Sequence, residues 1–266
     1  GLAPNAAVMS WRGTEGGVAA AKQKHNVVMS PGSHCYFDHY QGDPANEPLA
    51  IGGYTTVQKV YSYEPIPTEL NAEEAKYILG AQGNVWTEYI LTPEHVEYMA
   101  VPRMLALAEV LWTPKEKRNE ADFIHRLENE FPKLDAMKVN ASKSLYQVKI
   151  KVKPTAQPGE IGVELLSKAK GNMYTVKWSP QASPATLSEE PTSDLNDYRE
   201  MVVIKNDQIL NAWLHSADGS DGPTSKVAFH FNKATAQKIT LSEPPNERYA
   251  EGGAFTLVDG IIAGEK

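Results

Sequence analysis

The chain has 266 residues, of which 41% are hydrophobic and 22% are charged, as in a globular protein with one large or two medium domains. Its 26 basic and 33 acidic residues give a net charge of -7, and no Lys/Arg run is long enough to follow a phosphate backbone, so we expect no nucleic acid partner. No apolar stretch approaches the roughly 20 residues of a membrane span, and the first residues lack a signal-peptide pattern. The single cysteine, Cys35, excludes an internal disulfide and a cysteine-based zinc site, and we interpret it as a packing residue.

The first half of the chain alternates strand and helix patterns. Its predicted strands cover residues 6–11, 27–30 and 81–86. Its predicted helices cover residues 18–24, 55–63, 71–78, 92–111 and 120–131. Pro102 should kink the fourth of these helices, and Trp112, just after it, should be a core residue. Strands joined through helices run parallel, so we expect an α/β domain over residues 1–147.

The pattern changes near residue 148. Short runs with alternating apolar residues occur at 148–152, 202–204, 209–214 and 227–231, separated by turn residues. They predict a small antiparallel β-sandwich over residues 148–266, in which we interpret Trp178 and Trp213 as packing residues. The run 252–261 is predicted to end in a strand and looks like the opening of a further domain.

Aromatic and acidic residues meet where three predicted strands end. They are Trp11, then Tyr36 with Asp38, then Trp86 with Glu88. Aromatic faces stack on the C–H surfaces of a pyranose, while carboxylates and phenols bind its hydroxyl and amide groups. We therefore interpret this set as a sugar pocket without a pair of acids placed to cleave a glycosidic bond.

Each of these residues also has a purely structural interpretation. Asp38 could cap a loop, Tyr36 could satisfy a buried hydrogen bond, and Glu88 could pair with Arg103 or Arg12. His34 and His39 flank the tyrosine at a spacing that suggests a metal, but without a third ligand we assign them to loop polarity and expect no metal or cofactor.

The motifs resemble those of a known family as a set. Five short runs follow one another: Val27-Val28-Met29-Ser30-Pro31, Tyr36-Phe37-Asp38, Gly80-x-x-Gly83-x-x-Trp86-x-Glu88, Pro102-Arg103 and Ala108-Glu109-x-x-Trp112. Over residues 5–135 this order is similar to the later strands of glycoside hydrolase family 20, the β-N-acetylhexosaminidases. The resemblance implies that residues 1–147 form the last three βα units of a (β/α)₈ TIM barrel, with Trp11, Tyr36/Asp38 and Trp86/Glu88 after its sixth, seventh and eighth strands.

The resemblance also implies a mechanism. In this family the 2-acetamido group of the substrate attacks its own anomeric carbon while a glutamic acid protonates the leaving oxygen. Tyr36 would donate a hydrogen bond to the acetamide oxygen, Trp11 and Trp86 would wall the sugar, and Asp38 and Glu88 would accept hydrogen bonds from its hydroxyls. The family's Asp-Glu catalytic pair follows the fourth strand and would lie upstream of Gly1.

We therefore expect the C-terminal portion of a β-N-acetylhexosaminidase that is inactive alone and binds N-acetylhexosamine-terminated glycans. The alternative is a non-catalytic carbohydrate-binding or interaction module. Glu15, after Trp11, is the one acid we would test for a catalytic role within the chain. Unpaired barrel edges predict self-association or pairing with the missing barrel half, and the family implies a periplasmic, cell-surface or secreted parent enzyme.

Overall fold

The computed structural model describes residues 1–167, 174–182, 196–217, 219, 221–244, 246 and 252–261. Two compact units divide the chain, Gly1–Ser142 and Lys143–Lys266. This division falls slightly before the predicted boundary at 147/148, because Tyr146 and Val148 pack with the core of the second unit. Among the described residues, no helix combines the length and apolar character needed to cross a bilayer.

The first unit contains a parallel sheet of three strands in the order β1-β2-β3. The strands are β1 (Val8–Ser10), β2 (Val27–Met29) and β3 (Ile78–Ala81). Helix α1 (Glu15–Lys22) connects the first two, and Gly17 lets it approach them, since a Cβ there would lie 2.7 Å from Met29 Sδ. The Ser10 hydroxyl accepts from Gly17 N at 3.0 Å, which fixes the helix beside the strand end that precedes Trp11.

The route from β2 to β3 differs from the prediction. Helix α2 (Val57–Tyr61) lies within the predicted range, but α3 (Ala72–Ala75) is a single turn after the capping box of Asn71 and Glu74, and the helix does not reach residue 78. Strand β3 starts at Ile78 because Ile78 pairs with Val27 and Gly80 pairs with Val28. Leu79 is the extra residue of this bulge and is 62% exposed.

Three longer helices follow the sheet. They are α4 (Pro93–Ala100), α5 (Arg103–Trp112) and α6 (Glu120–Ala136). Thr92 caps α4 through His95 N, and Asn119 caps α6 through Asp122 N. Pro102 separates α4 from α5 completely, which goes beyond the predicted kink.

Trp112 contradicts its predicted place in the core, because it is 88% exposed. The buried face of α5 consists of Arg103, Ala106, Leu107 and Val110. Trp112 lies nine positions after Arg103, which on a helix of about 3.6 residues per turn is the opposite side.

The second unit contains two antiparallel sheets. Their strands are β4 (Lys149–Pro154), β5 (Ile161–Leu166), β6 (Tyr174–Ala182), β7 (Asn196–Asp197), β8 (Val202–Ile204), β9 (Gln208–Ser216) and β10 (Ser225–Phe229). The sheet orders are β10-β9-β6-β7 and β4-β5-β8. Both contribute to one apolar core, against which Trp178 packs, and Trp213 is also buried. In the run 252–261, Gly253–Leu257 is a 3-10 helix and Ile261 forms an isolated bridge with Phe229, so the strand expected at its end is not formed up to residue 261.

Glu109, in the Ala108-Glu109-x-x-Trp112 motif, joins three helices of the first unit. Its carboxylate accepts from the Tyr61 hydroxyl of α2 at 2.8 Å and from the Arg126 guanidinium of α6 at 2.7 and 2.8 Å. Hydrogen bonds from Arg126 lower the pKa of Glu109, those from Tyr61 add to this, and burial opposes it. Glu109 therefore holds these three helices together.

Substituting Glu109→Gln should lower the free energy of unfolding of the first unit by about 1–2 kcal/mol, because Arg126 loses its bidentate ionic partner. The depressed pKa adds stability above the ordinary glutamate pKa, and this is lost as pH falls through the lowered value. Urea unfolding followed by helical circular dichroism measures the difference, which should shrink in acid. Glu73→Gln, which breaks an exposed pair with Lys76, is the control and should change nothing measurable. Equal losses in both variants would contradict the assignment.

Candidate functional site

The predicted site residues follow the three parallel strands at one edge of the sheet. Trp11 follows β1, and Gly32 N donates to its carbonyl at 3.0 Å. Tyr36 forms a parallel bridge with Asn84, and the Phe37 amide donates to Asn84 O at 2.7 Å. Because Asn84 lies two residues before Trp86, these bonds hold the second and third loops side by side. The structure therefore gathers all three strand ends at this edge.

Both tryptophans of the site are open to solvent on part of their surface. Trp11 is 46% exposed and Trp86 is 47% exposed, and the Arg12 guanidinium lies 4.7 Å from the Trp11 ring centroid. An indole that is half accessible at a strand end offers a stacking surface to a ligand.

Asp38 is the buried acid of the site. It is 7% exposed, and its Oδ1 atom has no hydrogen-bond partner within the described parts of the chain. Burial raises the pKa of Asp38 and the charge of exposed Glu88 raises it further, whereas its own backbone amide and Arg103 lower it. The carboxylate thus has spare accepting capacity, which suits a ligand that donates hydrogen bonds.

Two histidines flank Tyr36 in this loop. The His39 ring lies 5.5 Å from the Tyr36 ring, and its Nδ1 atom is 3.0 Å from Thr55 Oγ1. Burial lowers the pKa of His39, and Arg103 and Lys59 lower it further, so the ring is neutral at pH 7. His34 instead stacks on Tyr63 at 5.1 Å, and its pKa is lowered by burial and then by Lys59.

No group of three His, Cys, Asp or Glu side chains placed to hold a metal occurs among the residues that the structure describes. Cys35 is fully buried, and burial raises the pKa of its thiol to about 12. It therefore packs in its neutral form and is a poor nucleophile. Glu15 lies exposed in the first turn of α1.

Arg103 is the residue whose role the sequence reasoning missed. It is 0% exposed, and all five of its N–H groups donate to backbone carbonyls. Nε donates to Met99 O at 3.0 Å, and Nη1 donates to His39 O and Thr55 O, both at 2.9 Å. Nη2 donates to Phe37 O and again to Met99 O. The alternative that Arg103 pairs with Glu88 is therefore wrong.

Burial lowers the pKa of Arg103 to about 9, and the carboxylates of Glu47 and Asp38 oppose this fall. The side chain therefore remains charged at neutral pH. One sequence signal could have identified it, because Arg103 occupies the buried stripe that Ala106, Leu107 and Val110 continue along α5. A charge at such a position needs internal partners.

Asn84 was also missed. It is 5% exposed, its Oδ1 accepts from Gln82 Nε2 at 2.7 Å, and its Nδ2 has no hydrogen-bond partner in the described part of the chain. No residue-type pattern marks it, since only its backbone pairing with Cys35 and Phe37 places it at this edge.

The chain matches known proteins over both units. Residues 1–115 match the family described as "Glycosyl hydrolase family 20, catalytic domain". A Beta-hexosaminidase from Porphyromonas gingivalis is 42% identical over 229 residues, which cover 85% of this chain and 28% of that protein. Since 229 residues exceed the first unit, the match extends into the second.

Two further matches cover less of the chain. A Beta-N-acetylhexosaminidase from Cellulomonas fimi is 32% identical over 115 residues, 43% of this chain and 23% of that protein. Among solved structures, an exo β-N-acetylglucosaminidase from Vibrio harveyi in complex with N-acetylglucosamine is 33% identical with a TM-score of 0.48. That match covers 54% of this chain and 23% of the other. The chain thus spans about a quarter of the length of these relatives.

Substituting Glu88→Gln should lower the pKa of Asp38, because it removes the neighbouring negative charge that raises it. The pKa should stay above that of an ordinary aspartate, since burial is the larger cause. Carbon-13 NMR titration of the Asp38 carboxyl measures both values. Because a raised acid pKa disfavours the ionised form in the fold, the contribution of Asp38 to stability increases as pH falls through that pKa. Glu69→Gln, at an exposed position, is the control, and an unchanged Asp38 pKa in Glu88→Gln would refute the coupling.

Proposed function

We propose that this chain is the C-terminal portion of a β-N-acetylhexosaminidase of glycosyl hydrolase family 20, whose catalytic-domain model matches residues 1–115. Such an enzyme hydrolyses terminal N-acetylhexosamine from glycans. The observation that carries the proposal is the meeting, at one sheet edge, of two half-exposed tryptophans and a buried carboxylate with one oxygen unpartnered among the described residues.

The proposed architecture is the last three βα units of a (β/α)₈ barrel followed by an antiparallel β-sandwich. Parallel strands in consecutive order and a site at their carboxyl ends support the barrel assignment. Two antiparallel sheets around one core support the sandwich.

Each site residue has a proposed task in binding or catalysis. Trp11 and Trp86 wall the sugar, and Asp38 and Glu88 accept hydrogen bonds from its hydroxyls. Tyr36 donates to the acetamide oxygen and so positions that oxygen for attack on the anomeric carbon. The lowered pKa of His39, whose ring lies beside Tyr36, keeps that ring neutral. No charged histidine therefore competes with the ligand for the Tyr36 hydroxyl.

The acid that protonates the leaving oxygen and the carboxylate that orients the acetamide are proposed to lie outside this chain. The chain spans 28% of the Porphyromonas gingivalis relative, which leaves room for them elsewhere in a longer enzyme. We accordingly propose that this chain alone binds sugar without cleaving it. The parent enzyme would act in the periplasm, at the cell surface or outside the cell, and light scattering would test the self-association expected of the chain.

Substituting Trp11→Ala should weaken binding of N-acetylglucosamine about fivefold, because losing one aromatic contact costs on the order of 1 kcal/mol. Titration of the chain with N-acetylglucosamine, followed by NMR, measures this. Trp112→Ala is the matched control, since Trp112 is 88% exposed at the end of α5 and has no part in the proposed site. Equal affinity for all three proteins would count against a sugar pocket at Trp11.

Turnover of an aryl N-acetylglucosaminide separates the enzyme from the binding module. The chain alone should show none, and adding the remaining part of the proposed enzyme in trans should produce it. In that mixture Tyr36→Phe should lower kcat by about 10²-fold, because the acetamide oxygen loses the donor that positions it. Sugar binding without rescue would favour the non-catalytic module, and turnover by the chain alone that Glu15→Gln abolishes would place the acid within it.

A further inference from the structure

Arg103 donates to carbonyls on both sides of Asp38. Its Nη2 reaches Phe37 O and its Nη1 reaches His39 O, so the carbonyls of the residues before and after Asp38 bind one guanidinium. The Arg103 guanidinium carbon also lies 5.2 Å from the centroid of the Phe37 ring. The residue before Asp38 is thus held through its carbonyl and its ring.

The same guanidinium fixes this loop to two other segments of the first unit. Met99 O lies near the end of α4, and Thr55 O precedes the Thr56 cap of α2. Phe37 N is bonded in turn to Asn84 O, two residues before Trp86. Arg103 therefore lies where the loop after β2, the start of α2 and the α4–α5 junction meet.

We propose that Arg103 is a positioning residue of the sugar site, which holds the Tyr36–His39 loop so that the Asp38 carboxylate stays oriented toward the ligand. The expected effect of Arg103 on sugar binding rests on the proposed function, whereas the contacts of Arg103 do not. Arg103 does not touch the ligand itself, because it is fully buried and its N–H groups are all used.

The planar fork of arginine matters as much as its charge. Five donors in fixed directions satisfy four carbonyls at once, whereas a lysine ammonium has three donors and no plane. A lysine would leave some of these buried carbonyls unpaired, and the loop would move to hydrate them. Arg103→Lys thus separates orientation from charge, because the positive charge near Asp38 is kept while the fork is lost.

The test compares Arg103→Lys and Arg103→Met with Arg118→Lys in the complete 266-residue chain. Arg118 is a matched control, because its side chain is only 10% exposed and it donates to Tyr63 O at 2.7 Å and to Glu64, but makes no bond to the Phe37–His39 segment. Three quantities are measured by NMR: affinity for N-acetylglucosamine, the pKa of Asp38, and the hydrogen-exchange rate of the Phe37 amide.

Both Arg103 variants should lose affinity about tenfold or more, and their Phe37 amide should exchange at least tenfold faster than in Arg118→Lys. The pKa of Asp38 should rise in Arg103→Met, where the positive charge is gone. Affinity and exchange in Arg103→Lys that match Arg118→Lys would overturn the proposal, since charge alone would then suffice. If the unsubstituted chain binds no N-acetylglucosamine, the sugar assignment fails, while Phe37 exchange still decides the role of Arg103.

If the Arg103 variants do not fold, the unsubstituted chain offers a second measurement. The guanidinium protons of Arg103 should give separate, slowly exchanging signals, because each is held by a buried carbonyl. A single averaged signal that exchanges at the rate of exposed Arg12 would overturn the proposal.

Discussion

The burial of one charged side chain constrains the first unit more than any apolar contact near the site. A guanidinium without water is tolerated only if all its donors are satisfied, and Arg103 meets this condition through four carbonyls from three segments. Those carbonyls are equally dependent on it, since moving any one segment leaves polar groups unpaired on both sides. The loop that carries Tyr36 and Asp38 is therefore held through the backbone carbonyls of Phe37 and His39.

The predictable part of the site is the part set by strand direction. Parallel strands place their carboxyl ends at one edge, so Trp11, Tyr36, Asp38, Trp86 and Glu88 could be grouped from their order along the chain. The exact limits of β3 were not predictable in the same way. Gly80 and the bulge at Leu79 belong to a pairing with β2 that no local pattern reveals, while Asn84 continues backbone pairing beyond the strand.

The contacts of Arg103 could not be predicted for a different reason. Its partners Phe37, His39 and Thr55 lie 48–66 positions away in the sequence, and it binds their backbone carbonyls, which every residue type carries. A charged residue within a buried helical stripe indicates that internal partners exist, but it does not identify them. The prediction for Trp112 failed in the opposite way. Its residue type predicts burial, whereas its position on α5 places it on the solvent side of the helix.

Two acids of the first unit show how bonding separates scaffold from site. Both carboxylate oxygens of Glu109 accept hydrogen bonds from Arg126 or Tyr61, and its pKa is lowered. The fold therefore favours its ionised form. Asp38 is more deeply buried, keeps an unpartnered oxygen among the described residues and has a raised pKa, so its ionised form opposes folding. A ligand hydroxyl would supply the missing donor, because a carboxylate that the fold leaves unsatisfied gains most from an outside partner.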